Sequence, residues 1–228
     1  MSYSQDNLSE EKQRHRKLKR YENRAYREGF RCIAGLDEVG RGPIAGPVMA
    51  AAVILPRNFF LPGVNDSKRV NPIRRLEMAA EIKQRAIAWV VAAVSSQQID
   101  RKNILQCTRE AMRICVDELT PRPDFLLIDA VNLPNLEMEQ YPIIKGDSLS
   151  ISIACASILA KTERDAVMES YDKLYPGYGF AQHKGYATRE HCIAVESLGP
   201  CVIHRCSFEP VKSLMSGQDW IQPGLFDT

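Results

Sequence analysis

Asp37 and Glu38 stand side by side where a short apolar run gives way to glycines, in CIAGLDEVGRGPIAGPVMAAAVILP from Cys32 to Pro56. Two further acids stand in comparable places: Asp129 closes FLLID, and Asp147 follows YPIIKG. Burying a carboxylate without a partner is expensive, so acids at the ends of apolar runs call for a counter-charge. A hard divalent cation is one answer. Oxygen-only ligands suit Mg2+ or Mn2+, whereas zinc sites favour His and Cys. None of the four histidines has a metal-site spacing such as HExxH. Each acid also has a plainer reading. Asp37 and Glu38 can pair with Arg41 and Lys68, Asp129 can open a turn before Asn132, and Asp147 can cap a following helix. Singly the plainer readings compete well; in combination the acids point to a metal.

The elements that must position these acids follow from hydrophobic pattern. Cys32–Leu36 and Val48–Leu55 are nearly unbroken and partly β-branched, which is the pattern of strands buried on both faces. Adjacent strand residues point to opposite faces. Asp37 and Glu38 are therefore expected to share a site only if the strand stops or bulges at Glu38, which Gly40 and Gly42 permit. Ala86–Val94 gives a third strand, Phe125–Ile128 a fourth ending at Asp129, and Tyr141–Ile144 a fifth. Helices are expected from Pro72 to Gln84 with Asn71 as N-cap, over Ile99–Leu119, over Ser148–Leu174, and from Arg189 to about Leu198. This order predicts an α/β domain whose first strands are antiparallel, with a parallel strand added beyond a helical crossover. With strands one, four and five as neighbours, the four acids converge.

The chain has 228 residues, 45% of them hydrophobic and 25% charged, which is enough for one sizeable soluble core. A basic arm over residues 1–29, a domain over 30–212 and a tail over 213–228 are the expected divisions. A net charge of +2 excludes no partner class, so the distribution of charge must carry that argument. Lys12, Arg14, Arg16, Lys17, Lys19, Arg20, Arg24 and Arg27 make the arm basic; it either touches phosphates or forms a solvated helix on one edge. Seven scattered cysteines without a CxxC pair read as small apolar residues in a reducing compartment. The polar N-terminus does not read as a secretory signal, and no apolar run is long enough to span a bilayer. A cytoplasmic monomer is expected.

GLDEVGRGPIAGPVMAAAVILP, NDSK, LLIDA, IIKGDSLSISIACASILAKTERD, HKGYAT and HRCSFEPV follow in this order. Together they closely resemble bacterial ribonuclease HII, a type 2 ribonuclease H, over about Phe30 to Val211. The resemblance implies a ribonuclease H-like fold, a central five-stranded mixed sheet flanked by helices with a C-terminal helical segment. It implies an endonuclease that cuts the RNA strand of RNA–DNA hybrids and cuts 5′ of a single ribonucleotide in duplex DNA, leaving a 3′-hydroxyl and a 5′-phosphate. Such an enzyme removes misincorporated ribonucleotides and RNA primers. By motif, the metal-binding and catalytic acids are Asp37, Glu38, Asp129 and Asp147, with Asp165 of KTERD in second rank. The family often has Gly where this chain has Ala130.

Phosphodiester hydrolysis needs an activated water, charge relief at phosphorus and a stabilised leaving oxygen; two Mg2+ or Mn2+ ions roughly 4 Å apart can provide all three. No side-chain nucleophile is required, and no GxSxG elbow is present. Discrimination of ribose rests on a contact to the 2′-hydroxyl. The resemblance assigns that contact to the Gly40-Arg41-Gly42 turn and to Tyr186, for which a plain surface tyrosine is the alternative. It makes Lys68, Ser157 and Lys161 the phosphate-contacting residues; Ser157 and Lys161 lie four apart on one helix face, where ordinary surface polarity is the alternative. In the tail, Gln222, Leu225 and Phe226 have the spacing of the short motif by which bacterial replication proteins dock on the sliding clamp, and a tail folded back on the domain is the alternative.

Other readings predict different behaviour. A junction resolvase of the same fold would cut all-DNA junctions. A non-catalytic nucleic-acid-binding domain would use the acids as caps and ion pairs. GRGPIAG read as a nucleotide phosphate loop lacks the Gly-Lys-Ser/Thr ending.

Overall fold

The apolar, β-branched runs form five strands: β1 (Ile33–Val39), β2 (Val48–Ile54), β3 (Ala88–Val94), β4 (Phe125–Asp129) and β5 (Glu139–Ile143). They make one sheet in the order β3-β2-β1-β4-β5, in a computed structural model that describes residues 5–64, 67 and 70–216. β1 runs antiparallel to β2, parallel to β4, and β4 parallel to β5. The expected mixed sheet is therefore observed. β1 and β2 are buried along most or all of their length, which explains why both read as continuous apolar runs rather than alternating ones. Lys68, Gln222, Leu225 and Phe226 lie outside the described residues.

The helices are α1 (Gln5–Leu18), α2 (Arg20–Arg27), α3 (Pro72–Arg85), α4 (Ser96–Lys102), α5 (Ile104–Glu118), α6 (Ile151–Leu174), α7 (Phe180–His183), α8 (Arg189–Leu198) and α9 (Val211–Ser216). Asn71 caps α3 as expected, its side chain accepting from the Ile73 amide at 3.0 Å. Two helix expectations need correction. The stretch Ile99–Leu119 is two helices, broken at Asn103, which adopts φ +78°. That positive φ takes the chain out of the helix, and the Asn103 Oδ1 accepts from the Gln106 amide at 3.1 Å to start α5. The long helix begins at Ile151 rather than Ser148, because Gly146–Ser148 forms a 3₁₀ turn. Ser150, not Asp147, caps it, its hydroxyl accepting from the Ile153 amide at 3.3 Å. β1 runs to Val39, three residues past Leu36; the other strand ends and the end of α3 shift by one or two residues, and α7 and α9 are short helices that the apolar pattern does not predict.

The chain divides into two compact units. One holds the sheet: residues up to Val39, Met49–Ala92 and Arg109–Thr162. Its main core packs Ala51, Val53 and Leu55 against Met78 and Ile82 of α3 and Cys155, Ile158 and Leu159 of α6. Each fully buried aliphatic side chain there contributes about 1.5–3 kcal/mol. α6 lies directly on β1. A Cβ on Gly35 would fall 2.2 Å from the Ser152 backbone, so this mid-strand glycine is what allows helix and strand to touch. The basic arm joins the same unit. Ala25 packs with Ile33, Phe125, Leu127, Ile143 and Ile153, and the buried Glu22 carboxylate accepts from Ser150 Oγ at 2.6 Å and from the Ser152 amide at 3.0 Å. That places an acid at the N-terminus of α6, where the helix dipole favours it.

The other unit comprises Gly40–Val48, Ala93–Thr108 and the chain from Glu163 on. Its core is aromatic and sulfur-containing: Ala45, Met168, Tyr178, Phe180, Val195 and Ile203. Among the described residues, no helix is long and apolar enough to cross a membrane.

Candidate active site

In a sheet with β1, β4 and β5 parallel, the carboxyl ends of all three strands lie on one edge, the usual place for ligands in such sheets. The β1–β4 ladder ends at Leu36↔Ile128, and Asp37, Glu38 and Asp129 lie just past it. On its other side β1 stays paired, with Asp37↔Ala51, Glu38↔Ala50 and Val39↔Met49. The strand neither stops nor bulges at Glu38, contrary to expectation. Even so, carboxylate oxygens of Asp37, Glu38 and Asp129 all lie within 4.8 Å of one another. Two features reconcile this with the alternation of side chains. The Asp37 carboxylate folds along its own strand to accept the Glu38 amide at 2.8 Å, and glutamate is long enough to reach past the unpaired strand end.

The electrostatics are those of crowded anions. Asp37 is almost fully buried, and burial together with the charges of Glu38 and Asp129 raises its pKa well above the usual carboxylate range. A hydrogen bond from Ser157 acts in the opposite direction. Ser157 is itself buried on α6, 3.0 Å from the Ser67 hydroxyl. A carboxylate can only accept, so Ser157 donates to Asp37 and receives from Ser67. The close approach at Gly35 sets α6 where Ser157 can do this. Lys161, one turn along the helix, is half-buried, as is Asp165 a further turn on.

Asp129 is held from the turn that follows β5. The Gly146 amide donates to its Oδ1 at 2.6 Å. A Cβ on Gly146 would meet Ile153 Cδ1 at 2.6 Å and Asp129 Oδ1 at 3.3 Å, so only glycine fits between β4 and α6 here. Asp147 is the next residue, half-buried in the 3₁₀ turn, and stands outside the group of three acids. Ala130, directly after Asp129, has φ +50°, a conformation that favours glycine. Oxygen-only donors this close fit a hard divalent ion, and Asp37, Glu38 and Asp129 are the residues that could hold one.

The other unit carries the remaining candidates. Gly40 is buried at φ +87°; Arg41 and Gly42 are exposed. A Cβ on Gly40 would lie 2.2 Å from Arg164 Nε, whereas one on Gly42 would meet only Tyr186 Cε1 at 3.7 Å. The first glycine is thus required by the protein's own interior, and the second leaves open space. Tyr186 is 43% exposed, and its backbone carbonyl accepts from His191 Nδ1 at 2.8 Å. That bond fixes a chain of tautomers. With Nδ1 of His191 as donor, its Nε2 is the acceptor facing His204 Nε2 at 3.1 Å. His204 must then donate from Nε2 and accept the Cys201 amide at Nδ1, 2.9 Å away. Burial depresses both rings, His191 to about 4 and His204 to about 3, so the pair is neutral at physiological pH.

Sequence reasoning did not single out His191, His204, Arg164 or Arg205. Their partners are mostly backbone carbonyls and one another, which leave no spacing rule in a sequence. Gly35 did leave a signal, as a lone glycine inside an apolar strand.

Comparison with known proteins follows this geometry. Residues 34–211 match the family model described as Ribonuclease HII. A ribonuclease HII from Syntrophomonas wolfei subsp. wolfei is 62% identical over 221 residues, 96% of this chain and 87% of that protein. The ribonuclease H2 crystal structure from Pyrococcus horikoshii OT3 superposes with a TM-score of 0.70 at 21% identity, covering 82% of this chain and 98% of that one. The RNase HII of the PCNA:RNase HII complex from Archaeoglobus fulgidus gives 0.66 at 25% identity, covering 80% and 96%.

Proposed function

Since the chain belongs to the ribonuclease HII family, we propose that it cuts the RNA strand of RNA–DNA hybrids and cuts 5′ of single ribonucleotides in duplex DNA. The products carry 3′-hydroxyl and 5′-phosphate ends, and the biological role is removal of misincorporated ribonucleotides and RNA primers. One observation carries the reading: three carboxylates within 4.8 Å at the carboxyl ends of parallel strands, in a chain that matches the family over its whole domain.

Asp37, Glu38, Asp129 and Asp147 would hold Mg2+ or Mn2+. Divalent ions bound there supply an activated water, charge relief at the phosphorus and stabilisation of the leaving 3′-oxygen. The rest is the work of the chain's own groups. Ser157 and the Gly146 amide each donate to one acid, fixing the direction in which its other lone pairs point. Lys161 and Lys68 meet backbone phosphates. Gly42, which has open space above it, lets the turn approach a sugar, and the exposed Tyr186 hydroxyl bonds the 2′-hydroxyl.

The tail docks on a sliding clamp through Gln222, Leu225 and Phe226. The archaeal PCNA complex supports a clamp partner for the family fold. A clamp pull-down that survives Leu225→Ala with Phe226→Ala would contradict this assignment.

The activity is tested with three matched duplexes containing no, one or several ribonucleotides, each with divalent metal and with excess chelator. Cutting is expected at ribonucleotides only and with metal only. Equal cutting of the all-DNA duplex, or activity in chelator, overturns the reading.

A further inference from the structure

Arg164 and Arg205 are the two largest fully buried side chains among the described residues, both 0% exposed. Arginine is almost never fully buried without an acidic partner. Here both guanidinium groups donate to backbone carbonyls. Arg205 donates to Gly40 O at 2.6 Å, to Arg41 O at 3.0 Å, and to Gly46 O from Nη2 and Nε at 2.9 and 3.1 Å. Arg164 donates to Pro47 O at 3.0 Å, Ala45 O at 3.2 Å and Lys184 O at 3.0 Å. Five of the eight carbonyls from Gly40 to Pro47 are thus gathered on two guanidinium groups.

The glycines of the loop are fitted to these cations. Gly40 and Gly46 have φ +87° and +84°, and a Cβ would fall 2.2 Å from Arg164 Nε at the first and 2.4 Å from Met168 Sδ at the second. The same arginines reach the other reading element. The Lys184 carbonyl that Arg164 holds lies two residues before Tyr186, and the Gly185 carbonyl accepts the Ile44 and Ala45 amides at 2.9 and 3.3 Å. On the other flank, the Arg205 amide donates to Ile44 O at 2.8 Å and the Gly46 amide to Ile203 O at 2.8 Å. A planar, permanently charged fork suits this task in a way that a lysine ammonium does not, because its five donors address several carbonyls in fixed directions. Charge-assisted bonds of this kind are also about twice as strong as neutral ones.

We propose that Arg164 and Arg205 are positioning residues for ribonucleotide selection, holding the Gly40–Pro47 loop and the Lys184–Tyr186 turn in their reading conformation before substrate arrives. They touch no substrate; they fix the backbone that does. The inference rests on the assignment of ribose reading to Gly40, Arg41, Gly42 and Tyr186.

The test uses the full-length protein with divalent metal. KM is measured for a single-ribonucleotide duplex, and Ki for the matched all-DNA duplex as competitor. Wild type is expected to show KM well below Ki; equality there would defeat the assignment of ribose reading itself. In Arg205→Lys, KM should rise roughly tenfold towards Ki while Ki stays within about twofold of wild type. A folded Arg205→Lys with a lower melting temperature but an unchanged KM/Ki ratio would show a merely structural role and overturn the proposal. Should circular dichroism show Arg205→Lys unfolded, Arg164→Lys is read in the same way. Hydrogen exchange on the wild type decides independently of any variant. The amides of Ile44, Ala45 and Gly46 should exchange at least about 100-fold more slowly than in an unstructured chain without substrate, and fast exchange would contradict preorganisation.

Discussion

The acids of the sheet unit and the arginine–histidine scaffold of the other unit solve opposite electrostatic problems. At the ends of β1 and β4 three carboxylates crowd together, and burial together with their mutual repulsion raises the proton affinity of Asp37. Around the Gly40–Pro47 loop two guanidinium groups and a histidine pair are buried, and desolvation lowers the proton affinity of each. The first arrangement suits an added divalent cation. The second is complete within the chain, because carbonyl oxygens supply the negative ends of its bonds. One region is built to bind an ion and the other to hold a backbone still.

This contrast can be broken most decisively at Asp37. Asp37→Asn should lower cleavage of a single-ribonucleotide duplex by at least about 10³-fold, some 4 kcal/mol on the barrier. The same change should raise the melting temperature of the metal-free protein at pH 7, by roughly 2–4 °C per kcal/mol of repulsion relieved. Loss of activity accompanied by loss of stability would mean that Asp37 is a structural acid rather than a ligand.

The two regions should also respond to pH with opposite signs. His191 and His204 have folded values of about 4 and about 3, below the unfolded value near 6.5. Between those limits the unfolded chain binds more protons, so each ring of the pair loses stability as pH falls from about 6.5 to about 4, on the order of 3 kcal/mol per histidine. Asp37 is shifted upward, so in the same direction of pH it is relieved. Denaturant midpoints measured from pH 7 to pH 4 should fall in wild type, and fall less in His204→Gln, which retains a donor at the Nε2 position. An equal slope in both would remove the histidine pair from the account.

A smaller effect is expected at Ser157. Ser157→Ala removes the donor that favours the charged form of Asp37, so the acid limb of the pH–rate profile should move to higher pH, with a loss of about tenfold at neutral pH. An unchanged limb would assign Ser157 to substrate phosphate alone. The smallest effect concerns Ala130, which holds φ +50° beside Asp129. Ala130→Gly should stabilise the protein by about 1 kcal/mol in chemical denaturation, with activity preserved.

The same contrast explains what the sequence disclosed. The acids were readable because topology puts strand ends together: an acid closing each of two apolar runs is enough to forecast Asp37 and Asp129 on one edge. The ladder register was not readable, and the bulge expected at Glu38 is absent because a long side chain past an unpaired strand end makes it unnecessary. Asn103 broke a helix that apolar spacing alone continued, and Ser150 took the cap that Asp147 was offered. Arg164 and Arg205 stand inside KTERD and HRCSFEPV, yet their role was hidden for a different reason. Their partners are main-chain carbonyls, which every residue possesses, so no choice of residue type marks them.

The central claim is that cutting resides with the sheet's acids and ribose reading with the other unit. Its most direct test is the affinity of Asp37→Asn for two matched duplexes, one all-DNA and one with a single ribonucleotide, in divalent metal. The account predicts that the variant, unable to cut, still prefers the ribonucleotide duplex by about tenfold or more, as wild-type KM and Ki do. Equal affinity for the two duplexes would contradict it.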